Sequence, residues 1–319
     1  MGWLDILFLV IIVVAVLAFL ALSALFLIWW ERKVSGHIQT RFGPMRVGWH
    51  GWLQTIADAI KLLLKEDIRP QKIDWVMFRL APYFVMLPPV LIFVVLPFSE
   101  TLIVRDLNMG LFYVLAVSSV GVLGIFAAGW SSNNKYSLLG GMRSVAQIIS
   151  YEVPMIISLI TVLLYVGSSS MNDIIRAQSG MWFVFKPNLF ICFLIYIIAA
   201  TAETNRTPFD IPEAESELVA GFHTEYSGMR FALFFVAEYT NLFLVSAVAT
   251  VVFLGGWQGP VLPGVVWFLI KTYGVVFLLM WFRWTFPRVR VDQMMAFSWK
   301  FLTPLSFVNL AVTGWLLLR

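Results

Sequence analysis

Residues 3–33 read WLDILFLVIIVVAVLAFLALSALFLIWWERK. Between Asp5 and Glu31 no residue carries a charge. About 20 apolar residues in a helix cross the roughly 30 Å hydrocarbon core of a bilayer, so this run predicts a membrane-spanning helix. Working outward, seven more apolar stretches fall at about 76–98, 109–130, 145–167, 188–203, 229–254, 262–283 and 299–318. The expected fold is all-α: a polytopic membrane protein of about eight transmembrane helices in one membrane domain, residues 1–319. The first run lacks the cationic start of a cleavable signal and is too long for a signal core. Ile6 stands where a myristoylation motif needs Ser or Thr.

Composition agrees. Hydrophobic residues make up 60% of the 319 and charged ones 13%, against about 25% charged in a soluble domain. Mean hydropathy is +0.86. The single cysteine, Cys192, excludes an internal disulfide and an iron–sulfur or thiolate–zinc site made by this chain alone. His37, His50 and His223 are too scattered to suggest a metal site. Redox metals, if the function needs them, belong to partners.

Of the 22 Lys and Arg residues, 17 lie in the odd-numbered loops, roughly 31–79, 130–144, 203–230 and 283–300. The positive-inside rule places those loops in the cytoplasm and both termini on the other side. All the long polar loops but 168–187 therefore share one face, which suits docking of partners.

Within the first loop, Trp52 to Glu66 has helical periodicity. Trp52, Ile56, Ile60, Leu63 and Leu64 fall on one face and Gln54, Asp58, Lys61 and Lys65 on the other. That pattern fits an amphipathic helix in the membrane interface and equally a helix whose polar stripe lines a cavity. The stretch Lys135 to Gln147 holds paired glycines, Gly140 and Gly141, that allow a tight re-entry into the membrane. In Tyr151-Glu152-Val-Pro154, the proline lacks an N–H and frees the carbonyl of Ser150. A free carbonyl beside Glu152 is expected to hold water, although Glu152 could also snorkel to the interface.

The densest chemistry lies in AETNRTPFDIPEAESELVAGFHTEY, residues 202–226. Glu213, Glu215 and Glu217 suit the first turns of a helix. Yet six acids crowd between Glu203 and Glu225 beside lipid. Like charges and desolvation raise carboxylate pKa values toward neutrality, where protons exchange readily. Glu238 lies nine residues into the sixth span, about 13 Å deep, and Lys271 is similarly deep in the seventh. Intramembrane charges are functional candidates, and a Glu238–Lys271 pair is the structural alternative. The basic, aromatic stretch Arg283 to Gln293 fits a positive-inside stop or a grip on an acidic partner.

The strings ERKVSGHIQTRFGP, LQTIADAIKLLLKE, SLLGGMRSVAQIISYEVP, AETNRTPFDIPEAESELVAGFHTEYSGMRFALFFVAEY and RWTFPRVRVDQ resemble, in order and over essentially the whole chain, the H-subunit (mitochondrial subunit 1) family of respiratory complex I. The resemblance implies a membrane component of a proton-translocating NADH-quinone oxidoreductase in the cell inner (plasma) membrane. It implies no redox centre in this chain, quinone as substrate, and FMN and iron–sulfur clusters on partner subunits. The implied partners are the peripheral-arm subunits and other membrane-arm subunits, antiporter-like ones included, with no nucleic acid. The implied quinone-chamber residues are Arg41, Phe42, Gly43, Gln54, Asp58, Lys61, Arg206, Phe209, Asp210, Phe222, Arg283 and Arg288. The implied proton path comprises Tyr151, Glu152, Glu203, Glu213, Glu215, Glu217, Glu225 and Glu238. A stand-alone ion or proton transporter, and the membrane subunit of a related hydrogenase, are the alternative readings. No internal repeat of the transporter kind is visible between the two halves.

Overall fold

The computed structural model describes residues 3–211 and 215–318. Among them there is no strand. The first apolar run forms α1 (Trp3–Ile38), which continues through the charged Glu31-Arg32-Lys33 stop. The amphipathic segment forms α2 (Gln54–Leu64), slightly shorter than the sequence pattern. Its apolar face, including Ile56, Ile60 and Leu63, is exposed, and Asp58 on the opposite face is tied to Arg32 of α1.

Asp74 starts α3 (Trp75–Ile92) by accepting from the amides of Val76 and Met77, the usual way an N-cap satisfies orphan donors. The third span is broken once, into α4 (Gly110–Ser118) and α5 (Val120–Ser131). Asn134 caps α6 (Lys135–Val166). A short α7 (Met171–Arg176) precedes α8 (Pro187–Glu203), and α9 (Glu215–Leu218) follows. Then come α10 (Gly228–Phe253), α11 (Gly264–Thr285), α12 (Val291–Phe297), a π-helical turn (Ser298–Leu302) and α13 (Thr303–Leu317).

Seven of these spans are long and apolar enough to cross a membrane. The eighth, α8, has 17 residues, at the short end of what a bilayer requires. The burial pattern is that of a protein solvated by lipid. On α1, Leu7, Val10, Ile11, Val14 and Leu22 are exposed, while every residue of α10 from Leu242 to Phe253 is buried. The centre of the bundle is therefore α10, and the polar residues on its N-terminal half define the interior of the site.

Three expectations need correction. Gly140 and Gly141 form no tight re-entry, because both lie inside the continuous α6. The Ser150 carbonyl freed by Pro154 accepts the Ser298 hydroxyl at 2.6 Å from the π-helical turn, and Trp299 reaches the Ser150 hydroxyl at 3.2 Å. A side chain fills the role expected of water. Nor does Lys271 pair with Glu238. Its ammonium donates to the carbonyls of Leu254, Gly256 and Gln258 at 2.7, 3.1 and 2.6 Å and lies 4.2 Å from the Trp182 ring centre. Those carbonyls follow the last turn of α10, whose dipole end favours a cation. Lys271→Met strands three carbonyl acceptors, one buried and two part-buried, at up to about 1–3 kcal/mol for an unsatisfied buried group. Faster thermal inactivation of the protein in its membrane is the expected result.

Candidate functional site: a buried ion network beside a polar cavity

The chain turns sharply after α8. Thr204 caps the helix end through bonds to the carbonyls of Ala200 and Thr201, and Asn205 takes the left-handed conformation at φ 49°. Asparagine tolerates that conformation better than most residues. The Arg206 amide then reaches back to the Thr201 carbonyl, and the turn drives the Arg206 side chain into the bundle.

There Arg206 is completely buried. It binds Glu31 of α1 at 2.6 Å and Glu238 of α10 at 3.3 Å, and its guanidinium stacks 4.9 Å from the Tyr239 ring centre. Arg283 of α11 binds the other oxygen of Glu31 at 2.7 Å and stands 3.9 Å from Glu238. Burial alone would lower the Arg206 pKa, but Glu31 and Glu238 outweigh it and hold the guanidinium charged. Two cations and two anions thus close a neutral quartet. Buried charges are tolerated only when their partners offset the desolvation penalty. The holds are unequal, because Glu31 is gripped by both arginines while Glu238 has only the longer contacts.

Glu238 also lines a cavity of about 80 Å³ with Glu203, Asn205, His223 and Asn241. At roughly 10–15 Å³ per water by this measure, several waters fit. A smaller cavity of about 30 Å³ continues past Glu203 and Asn241 to Tyr196 and Ser118. Glu203 therefore borders both spaces, the second of them mostly apolar. The wall is set by a backbone contact. A Cβ on Gly140 would lie 2.7 Å from the Cα of Gly221, so α6 meets the 221–223 turn at van der Waals limit. The Ser137 hydroxyl fixes that turn by donating to the Phe222 carbonyl at 2.9 Å.

Residues 10–314 match the family model described as NADH dehydrogenase. The chain belongs to the NADH dehydrogenase family. It is similar to the NADH-quinone oxidoreductase H subunit of Dehalococcoides mccartyi strain CBDB1, with 54% identity over 292 residues, 92% of this chain and 82% of the relative. The corresponding protein of Geobacillus kaustophilus strain HTA426 is 53% identical over 290 residues, covering 89% and 86%. That of Carboxydothermus hydrogenoformans is 49% identical over 314 residues, covering 97% and 89%.

Among the described residues, the expected path residues fall in different surroundings. Glu203 and Glu238 share the cavity, and Glu152, half-buried on α6, is close enough to act electrostatically on Glu203. Tyr151 is buried, packs on Phe209 at 5.0 Å and donates to the Met294 carbonyl. Glu217 is exposed and pairs with Arg143 at 2.6 Å. Glu225 accepts from the Asn134 side chain at 2.6 Å, on the wall of a separate pocket. Glu213 lies outside the described residues, as does the side chain of Glu215.

The expected chamber residues divide similarly. Arg206 and Arg283 belong to the quartet. Asp58 is bound by Arg32 at 2.6 Å and Gln54 at 3.1 Å, with Lys61 at 4.0 Å. Burial, which would raise the Asp58 pKa, is outweighed by Arg32 and Gln54, and the carboxyl is held below its usual range. Arg288 binds Asp210 at 3.0 Å, yet burial still raises the Asp210 pKa above its usual value. Phe42 is almost fully exposed and Arg41 contacts Gln39. Gly43 lies against the end of α1, where a Cβ would meet the Arg32 carbonyl at 2.9 Å. Phe209 and Phe222 are both buried, and Phe222 lines the cavity.

Sequence reasoning missed Glu31, Tyr239, His223 and Asn241. For Glu31 a signal existed. An acid opening the charged stop of a transmembrane helix is costly unless paired, while Arg32 and Lys33 can snorkel.

Proposed function

We propose that this chain is the membrane subunit of a proton-translocating NADH-quinone oxidoreductase that forms much of the quinone chamber and links quinone reduction to a buried proton path. The observation that carries this reading is the double membership of Glu238, which belongs to the ion quartet on one side and lines the polar cavity on the other. Electrons come from clusters on partner subunits. The quinone headgroup docks on the cytoplasmic loops near Asp58–Arg32 and Asp210–Arg288, and the outward apolar face of α2 meets its isoprenoid tail. Quinone reduction consumes protons and changes the charge beside Arg206 and Arg283. A shift of either guanidinium alters the proton affinity of Glu238, since opposite charges stabilise the ionised carboxylate. Protons then move by way of the cavity to Glu203 and the space beyond it.

In this reading the chain is one membrane domain, residues 1–319, of the plasma membrane, with both termini on the non-cytoplasmic side. Its polar loops dock the peripheral-arm subunits, which carry FMN and the clusters, and its flanks meet other membrane-arm subunits, antiporter-like ones included. The reading is tested by Glu238→Gln in the assembled complex. Proton translocation should fall about tenfold or more, in keeping with loss of an acid–base group, while the complex still assembles. Pumping and quinone reduction at the native rate would overturn it. Transport by the isolated chain in proteoliposomes would favour a stand-alone transporter instead.

A further inference from the structure

Glu238 and Glu203 line one cavity but make no direct contact. A proton passing between them needs carriers in the space that separates them. His223 is the one imidazole among the described residues lining that space.

Its placement is firmly built. Gly221 takes φ +63° and abuts Gly140, and the Thr224 side chain closes on the Gly221 carbonyl at 2.7 Å. The ring stands edge-on to Phe222 at 4.9 Å and tilted against Phe231 at 5.4 Å. These aromatic neighbours offer neither ring nitrogen a conventional partner, and no side chain or backbone group of the described residues bonds to the ring. Neither nitrogen is among the buried polar atoms that are sealed off without a partner. Each nitrogen therefore keeps some open surface, and the space His223 lines is the cavity shared with both acids.

We propose that His223 is a proton relay residue between Glu238 and Glu203, an inference that rests on the proton-path reading above. One ring nitrogen takes a proton from the Glu238 side while the other gives its own to the water leading to Glu203. No other bond changes, and the ring is neutral before and after with its tautomer reversed. A ring flip or return exchange through the same waters resets it. A neutral relay suits this place, because a further fixed charge beside Glu203 and the ion quartet would bind one proton state too tightly. Burial pushes the imidazole down to about 4, which keeps it neutral in the working range. The charged groups facing the cavity are Glu203 from α8 and Glu238 from α10, with Arg206 and Arg283 behind Glu238.

The test uses the assembled complex in membranes. His223→Phe keeps the ring volume and removes both nitrogens, and should lower proton translocation about tenfold or more without loss of assembly. His223→Ala opens room for a free imidazole, and added imidazole should restore much of its lost rate. The solvent deuterium isotope effect on turnover should rise in both variants. Native pumping by His223→Phe overturns the inference. So does a loss in His223→Ala that imidazole does not relieve and that leaves the isotope effect unchanged. Glu203→Gln and Glu238→Gln run in parallel separate the two claims. If they lose pumping and His223→Phe does not, only the relay falls; if all three pump normally, the proton path falls with it.

Discussion

Replacing Arg206 by methionine is expected to abolish stable assembly or leave a complex without quinone reductase activity. The substitution keeps most of the aliphatic volume and removes the only fully buried cation of the quartet. Glu31 then retains Arg283 alone, and Glu238 is left with a single contact at 3.9 Å. Removing one partner from a buried pair typically costs about 3–5 kcal/mol, because the remaining charge is left undercompensated. That is a large part of the roughly 5–15 kcal/mol by which proteins are stable. The amount of assembled complex in membranes and its quinone reductase rate report the outcome. Glu31→Gln added to Arg206→Met removes one stranded charge and should recover part of the assembly. Native assembly and activity in the single variant would mean the quartet is not coupled to function.

Gly140→Ala is expected to have the second-largest effect, although it adds only one methyl group. The new Cβ would meet the Cα of Gly221 at 2.7 Å and its carbonyl carbon at 2.9 Å, and both are backbone atoms with no rotamer to yield. Overpacking of this kind costs about 1–3 kcal/mol. Relief requires the 221–223 turn to move off α6, which breaks the bond from Ser137 to the Phe222 carbonyl and shifts the cavity wall. Both thermal resistance and proton translocation should fall. A Gly140→Ala complex indistinguishable from the native one would show that this wall is not held by the glycine contact. Gly274, whose Cβ would meet nothing, supplies the control: Gly274→Ala should be silent.

The spans and the amphipathic helix were legible in the sequence because they depend on local properties. Length and apolarity identify a membrane helix whatever it packs against, and α2 differs from its pattern by only two residues at each end. The break between α4 and α5 was not legible, because no proline marks it. The density of acids at 203–225 was also visible, but not its division. Glu217 and Glu225 are satisfied by Arg143 and Asn134 at the edge, whereas Glu203 faces the cavity within the bundle. Contacts across 74 or 91 positions leave no trace in periodicity. The quartet is the extreme case, since Glu31 meets Arg206 and Arg283 at separations of 175 and 252 residues. For Lys271 the sequence pointed to a carboxylate partner, yet backbone carbonyls past the end of α10 serve instead. Carbonyl groups are present at every position and carry no signature.

The hydroxyl of Ser298, in the turn leading into the final helix, bonds the Ser150 carbonyl that Pro154 frees in the helix that bears Glu152. The tail of the polypeptide is thus mechanically geared to its chemical middle, 148 residues away. Alterations in the last helix, remote along the chain from every acid named above, should be judged first as lesions of that gearing and only second as changes at a lipid-facing surface.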